Sequence, residues 1–367
     1  MTRHNTVILF RIARHTCVEK LANVPSRMIL QKVKITNHTR VPGERFSGPL
    51  YRVILTLALA LSALFTNCRM TQQTDQQPTS TPQVVTNREN DPLQIHRRAI
   101  AIDMHADTTQ RLVDERLDLA ARLTDGHFDT VRAREGGLDA QFFSIWVEPQ
   151  LFGGGGPGAQ KRADDQITAV RELTERQPQT WALAVSASDI NRITSEGKIA
   201  ALMGLEGGYA IDERLENVER YYHLGVRYMS PAWSVSTSWA GSSNDEIGQT
   251  RGLNDFGRTV IREMNRLGMM VDVSHVSDKT FWDIINTSSK PIIATHSGCR
   301  AIANVRRNLD DEMIRAIAKG RGVVCVLFYP AFLEPAGRKK RRRSMRRLHQ
   351  WWKRRQRKRP VTWPIKR

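Results

Sequence analysis

The chain of 367 residues has few cysteines, and their spacing excludes two kinds of site. The four are Cys17, Cys68, Cys299 and Cys325, and no two of them form a Cys-x-x-Cys pair. A zinc site built on cysteine sulfur needs such pairs, and a disulfide scaffold needs a regular set of spacings. The sequence therefore predicts neither. We expect Cys299 and Cys325 to be reduced and to lie in or near the core.

Acidic residues are absent from the C-terminal segment, which carries most of the net charge. The formal charge of the chain is +19, and residues 338–367 contain 16 Lys and Arg but no Asp or Glu. Without this segment a charge of only +3 remains, so composition does not indicate a nucleic-acid-binding fold. The tail alone, with Trp351, Trp352 and Trp363, is typical of an arm that binds nucleic acid or an anionic membrane surface.

The chain also lacks an apolar run of the ~20 residues that a membrane-spanning helix needs. The run over residues 53–65 has the length of a signal-peptide core and is followed by Cys68. Cys68 resembles the lipidated cysteine of a bacterial lipoprotein, and the Gln/Thr/Pro-rich residues 71–83 resemble the linker of a tethered domain. We therefore predict export to the periplasm or anchoring at the envelope, with translation starting near Met28.

From about residue 92, short apolar runs alternate with helical stretches, which indicates an α/β fold with a parallel sheet. Seven such strands favour a (β/α)8 TIM-like barrel over an open doubly wound sheet, with the last strand missing. The predicted strands cover residues 98–103, 140–147, 199–205, 226–230, 269–274, 291–295 and 322–328.

Histidines and carboxylates follow or end four of these strands. His105 and Asp107 follow the first, Glu206 follows the third, and His275 and His296 follow two later ones. Since active sites of (β/α) barrels lie at the C-terminal ends of the strands, we expect these side chains to converge. Imidazole nitrogen and carboxylate oxygen suit zinc or a similar ion, and Glu206 can bridge two ions. The alternative for each residue alone is a hydrogen-bonded position in the core or a loop.

The same stretches resemble the membrane (renal) dipeptidases, a family of zinc metallopeptidases. Matching segments run in family order over about residues 95–333: IDMHADT, GGLDAQFFSIWV, ALMGLEGG, LGVRYMSPAW, GLNDFGRTVIREMNRLGMMVDVSHVS and PIIATHSGCRAIANVRRNLDDEMI. The resemblance implies two zinc ions, one held by His105, Asp107 and Glu206. The other would be held by Glu206, His275 and His296. It also implies hydrolysis of a dipeptide substrate by a hydroxide that bridges the ions.

The resemblance implies substrate contacts as well, and here the sequence departs from the family. Arg307 matches the family arginine that binds the substrate carboxylate, a role that suits a planar guanidinium. Trp233 stands where mammalian members have a substrate-contacting histidine, and its indole can donate a hydrogen bond but carries no charge. The family's last strand carries a GSDFDG-like segment whose aspartate is the general acid/base. Nothing similar follows Phe328.

Composition divides the chain into five segments. They are a basic extension, disordered or not translated natively (1–52), a signal-like segment (53–68), a polar linker (69–92), an incomplete dipeptidase barrel (93–335) and a basic tail (336–367). Because the change near residue 335 is abrupt, we interpret the tail as the product of a frameshift. A barrel without its eighth strand leaves two strand edges unpaired. The activity of this truncated form stays open.

Two other functions also stay open. The chain could be another metal-dependent amidohydrolase, but many of those bridge their metals with a modified lysine, whereas Glu206 stands here. It could instead be a degenerate barrel that binds polyanions through its basic tail. The sequence leaves the oligomeric state open, with a homodimer among the possibilities.

Overall fold

The computed structural model describes residues 91–334 apart from Gly153, together with the backbone of Ile8–Leu9. The predictions for Cys68 and for the first three segments and the basic tail therefore lie almost wholly outside the described residues. Within the described part of the chain, no helix has both the length and the apolar character needed to cross a membrane.

The described residues contain nine strands that form one sheet, and seven of them are parallel neighbours in the order of a TIM-like barrel. The hydrogen-bonded order is β1-β9-β8-β7-β6-β5-β3-β2, with β4 beside β5 and β1 antiparallel to β9. The strands are β1 (Ile8–Leu9), β2 (Ile102–Ala106), β3 (Ala140–Trp146), β4 (Trp181–Leu183), β5 (Ile199–Glu206), β6 (Val226–Ser230), β7 (Met270–Asp272), β8 (Ile292–Ser297) and β9 (Val323–Val326). Between the described strands β2 and β9 no ladder forms, so the barrel has an open seam where an eighth strand would lie. The predicted fold class is confirmed.

Helices follow most strands and cover the outside of the sheet. They are α1 (Pro92–Arg98), α2 (Thr109–Glu115), α3 (Thr130–Glu135), α4 (Gly156–Arg176), α5 (Ala187–Ser195), α6 (Leu215–His223), α7 (Ile247–Thr250), α8 (Asp255–Leu267), α9 (Asp278–Thr287), α10 (Asp311–Lys319) and α11 (Pro330–Leu333), with a 3₁₀ helix at Gly208–Ile211. Several begin at a side-chain cap: Ser277, for example, accepts a hydrogen bond from the Thr280 N–H at the start of α9.

Between residues 91 and 334, two strands differ from the prediction by more than their end residues. The first was placed at residues 98–103 but lies at Ile102–Ala106, because residues 92–98 form α1 with Asp91 as its N-cap. His105 is therefore within the strand rather than after it. The sequence did not reveal β4, since three residues are too few to show a period. The buried Trp181 holds β4 in place, and its indole N–H donates to Thr130 Oγ1 at 2.9 Å.

Alternate residues of β5 divide between two apolar clusters. Ala201, Met203 and Leu205 join the larger cluster beneath the helices, whereas Ala200 and Leu202 join a smaller one with residues of strands around the barrel. The alternation continues through Gly204 to Glu206, so the carboxylate of Glu206 lies on the inward side. Cys325 belongs to the smaller cluster. Both Cys299 and Cys325 are free thiols, as the sequence predicts for these two.

Candidate metal centre

The five predicted ligands converge around Glu206, whose two carboxylate oxygens face different partners. His105 Nε2 lies 3.3 Å from Glu206 Oε2 and 3.3 Å from Asp107 Oδ1. On the other side, Glu206 Oε1 lies 2.7 Å from His275 Nε2 and 3.4 Å from His296 Nε2. The arrangement places Glu206 between one pair of side chains and another, as a bridging carboxylate requires.

The cluster is closely packed and largely shielded from water. His105, Glu206, His275 and His296 are buried, while the side chain of Asp107 keeps 34% of its surface exposed. The ring of His105 stacks on that of His296 with centroids 3.8 Å apart. Asp107 is thus the side through which solvent reaches the cluster.

Hydroxyl groups contact three of the predicted ligands. Sequence reasoning missed the three residues that carry these hydroxyl groups. Tyr228 Oη lies 3.1 Å from His105 Nδ1, and Thr295 Oγ1 lies 2.8 Å from His296 Nδ1. Ser144 Oγ donates to Glu206 Oε2 at 2.8 Å. Strand alternation could have indicated that Ser144 and Tyr228 point inward, but which ligand each contacts depends on the register between strands.

Neighbouring charges separate the pKa values within the cluster. Although burial opposes both shifts, Glu206 and Asp107 hold the pKa of His105 well above its usual value, and His105 holds the pKa of Glu206 well below its own. Burial and the positive charge of Arg307 lower the pKa of His275 to about 4. Burial and the positive charge of His105 lower that of His296 strongly. The opposite pKa shifts of His105 and Glu206 reflect the attraction between the two groups, whose Nε2 and Oε2 atoms lie 3.3 Å apart.

The residues present fit a divalent metal ion. His105, Glu206 and His296 each offer a ligand atom within 4.8 Å of the others, and all three are buried. The Nε2 atom of His275 faces Glu206 Oε1 at 2.7 Å and so adds a fourth buried donor to this group. Imidazole nitrogens around one carboxylate form a donor set that suits zinc or a similar ion.

The two predicted substrate-binding residues lie beside this cluster. Arg307 is buried, donates from Nη2 to the carbonyl oxygen of His296 at 3.4 Å, and lies over the ring of Phe332. Trp233 stacks on Trp146 with ring centroids 4.6 Å apart, and its ring lies 6.4 Å from that of His275. Trp146 was not singled out from the sequence, although it ends β3 directly opposite Glu206. The substrate roles of Arg307 and Trp233 stay predictions.

Comparison with known proteins places the chain in one family. The sequence profile of the membrane dipeptidases, peptidase family M19, matches residues 90–356, and the chain belongs to this family. The predicted resemblance is thereby confirmed, and with it the general class of metal-dependent dipeptidase.

Solved structures of similar fold agree with this assignment. A metallo peptidase from Rhodobacter sphaeroides, liganded with a phosphinate mimic of the dipeptide L-Ala-D-Ala, is 27% identical with a TM-score of 0.59, covering 65% of this chain and 76% of that chain. Dipeptidase AC, a family M19 metallo peptidase, is 28% identical with a TM-score of 0.58, covering 64% and 74%. The probable dipeptidase PvdM from Pseudomonas aeruginosa is 25% identical with a TM-score of 0.58, covering 66% and 63%.

Proposed function

We propose that the chain is a zinc dipeptidase with a binuclear centre bridged by Glu206. The observation that supports this most directly is that the two oxygens of the Glu206 carboxylate contact different residues. One oxygen faces His105, whose other neighbour is Asp107, and the second oxygen faces His275 and His296. Each half supplies two further ligands in addition to the bridge.

In this proposal the protein groups each have a defined task. When bound, the zinc pair supplies an activated water as the nucleophile and polarises the scissile carbonyl. Ser144 holds Glu206 in its bridging orientation through the 2.8 Å hydrogen bond. Arg307 binds the free carboxylate of the dipeptide, and Trp233 forms an apolar wall beside His275.

The departing amine needs a proton, and the sequence supplies no GSDFDG-like segment after Phe328 to deliver it. General acid catalysis is commonly worth about 10²–10⁴-fold in rate. We therefore expect the chain to bind metal but to turn over its substrate roughly 10²–10⁴-fold more slowly than a family member that has the aspartate.

The test is hydrolysis of L-Ala-D-Ala and L-Ala-L-Ala by the full chain after chelation and after zinc is restored. Zinc should restore activity, and Glu206→Gln should abolish both activity and high-affinity zinc binding. Glu175→Gln makes the same chemical change at an exposed position of α4 and should change neither. Hydrolysis that is insensitive to chelation, or a Glu206→Gln variant with wild-type activity, would contradict the proposal.

A further inference from the structure

Tyr228 contacts both a carbonyl group and a proposed ligand, and this determines where the imidazole proton lies. Its hydroxyl donates to the carbonyl oxygen of Met104 at 3.2 Å, and a carbonyl can only accept. The same oxygen lies 3.1 Å from His105 Nδ1. Because the single hydroxyl proton is directed to Met104, Tyr228 accepts from an N–H at Nδ1 of His105.

Thr295 contacts His296 in the same way as Tyr228 contacts His105. Its hydroxyl donates to Asp272 Oδ2 at 2.9 Å, and its oxygen lies 2.8 Å from His296 Nδ1. If that hydroxyl turned to donate to His296 instead, Asp272 Oδ2 would lose the hydrogen bond. The arrangement therefore favours an N–H at Nδ1 of His296 as well.

We propose that Tyr228 and the Thr295–Asp272 pair are positioning residues that keep the proton of His105 and His296 on Nδ1. His105 Nε2 then faces Glu206 Oε2 at 3.3 Å, and His296 Nε2 faces His275 Nε2 at 2.9 Å and Glu206 Oε1 at 3.4 Å, so each Nε2 is the ring atom left to bind a metal ion. This inference rests on the proposed metal centre, and it goes further by naming the groups that prepare its ligands. A hydrogen bond to the second ring nitrogen commonly fixes the tautomer of a metal-binding histidine.

Both positioning groups are themselves held rigidly. A Cβ at Gly204 would lie 1.9 Å from a ring carbon of Tyr228, so only glycine allows the ring to lie there. Asp272 is fully buried, and its Oδ1 accepts from the N–H groups of Ser274 and Thr295 and from the Ser274 hydroxyl. The Ser274 hydroxyl also accepts from the backbone N–H of His296 at 3.0 Å, which orients the ligand a second time.

His275 provides an internal contrast. Its buried Nδ1 has no hydrogen-bond partner in the part of the chain that the structure describes. We therefore expect Nδ1 partners to orient two of the three imidazoles, whereas His275 is oriented through the contacts of its Nε2 with Glu206 and His296. Removing a hydroxyl should then affect the half of the centre to which that hydroxyl belongs.

The experiment compares the zinc affinity of the full chain with that of Tyr228→Phe and Thr295→Val, measured by competition with a chromophoric chelator. Each variant should bind zinc about 10–100-fold more weakly, the usual effect of losing such a partner. Tyr221→Phe and Thr130→Val serve as matched controls, because each removes a buried hydroxyl remote from the cluster, and they should leave affinity unchanged. Thermal unfolding of all five proteins shows whether any loss reflects misfolding.

A second measurement does not depend on the variants. Nitrogen NMR of the metal-free wild-type protein reports which ring nitrogen of His296 carries hydrogen, and we expect Nδ1. Hydrogen on Nε2 alone, or wild-type zinc affinity in both variants, would overturn the inference. If the wild-type chain binds no zinc, the proposed metal centre fails, whereas the His296 tautomer still decides the positioning role.

Discussion

At the scale of single residues, Arg307 is the residue that bears most directly on the proposed choice of substrate. The side chain is buried beside the cluster, and its positive charge acts on both His275 and His296. A guanidinium in that position can pair with a carboxylate through two parallel hydrogen bonds, which an ammonium cannot do. The free carboxyl end of a dipeptide is the group that it suits.

Arg307→Lys should therefore keep the charge and lose the selectivity. Hydrogen bonds to charged groups are worth about 1.5–3 kcal/mol, so kcat/KM for a free dipeptide should fall roughly 10–100-fold. Hydrolysis of the corresponding dipeptide amide should change much less. The exposed neighbour Arg306, changed to Lys, is the matched control. An unaltered preference for the free acid over the amide would show that Arg307 does not bind the carboxylate.

The proposed ligands could be identified from the sequence because each lies at or directly after a strand end. His105, Glu206 and His296 lie within the last residues of β2, β5 and β8, and Asp107 and His275 follow shortly after strands. Their hydroxyl partners could not be found in the same way. Tyr228 reaches His105 across 123 positions of the chain, and that contact depends on the curvature of the sheet and on the absence of a side chain at Gly204.

At the scale of elements, helix α3 shows how a buried carboxylate stabilises the start of a helix. Asp129 is its N-cap, accepts from the N–H groups of Arg132 at 2.8 Å and Leu123 at 3.2 Å, and pairs with the Arg132 guanidinium. Although burial opposes the shift, these backbone hydrogen bonds and the Arg132 charge hold the pKa of Asp129 below its usual value. The cap lies eleven residues before β3, the strand that carries Ser144.

Because the pKa is lowered on folding, Asp129 stabilises the protein above its unfolded-state pKa, and this contribution is lost as pH falls through the folded-state pKa. Asp129→Ala should lower the free energy of unfolding by about 1–2 kcal/mol near neutral pH. Asp129→Asn keeps an acceptor for the cap and should cost less, but it should remove the part of the acid sensitivity that Asp129 contributes. Urea unfolding at neutral pH and at about pH 3 measures both effects. Equal loss of stability on acidification in wild type and Asp129→Asn would contradict this account.

The presence of the long strands was easier to predict than the residues at which strands begin and end. Long strands such as β3 and β5 are apolar on both faces, so the sequence reveals them directly. The prediction began the first strand at residue 98 instead of Ile102. The apolar residues directly after α1 have the pattern of a strand, although the strand itself begins later. Three-residue β4 carries no period, and its place beside β5 depends on the burial of Trp181.

At the scale of the whole molecule, the open seam lies next to one half of the proposed centre. Strand β2, which carries His105, pairs with β3 alone among the described strands. The strands that carry Glu206 and His296 have neighbours on both sides. A strand with one neighbour is held less firmly, so we expect the ion on the His105–Asp107 side to be bound more weakly than the other.

The measurement that tests the metal centre most directly is the zinc content of the full chain, read by native mass spectrometry as zinc is titrated into metal-free protein. The wild-type chain should bind about two ions in two distinguishable steps, since in the proposed centre one carboxylate lies between two sets of ligands. Asp107→Asn, which alters a ligand of one ion only, should bind about one. A wild-type chain that binds no more than one zinc ion, or an Asp107→Asn variant that still binds two equally tightly, would contradict the bridged two-metal centre.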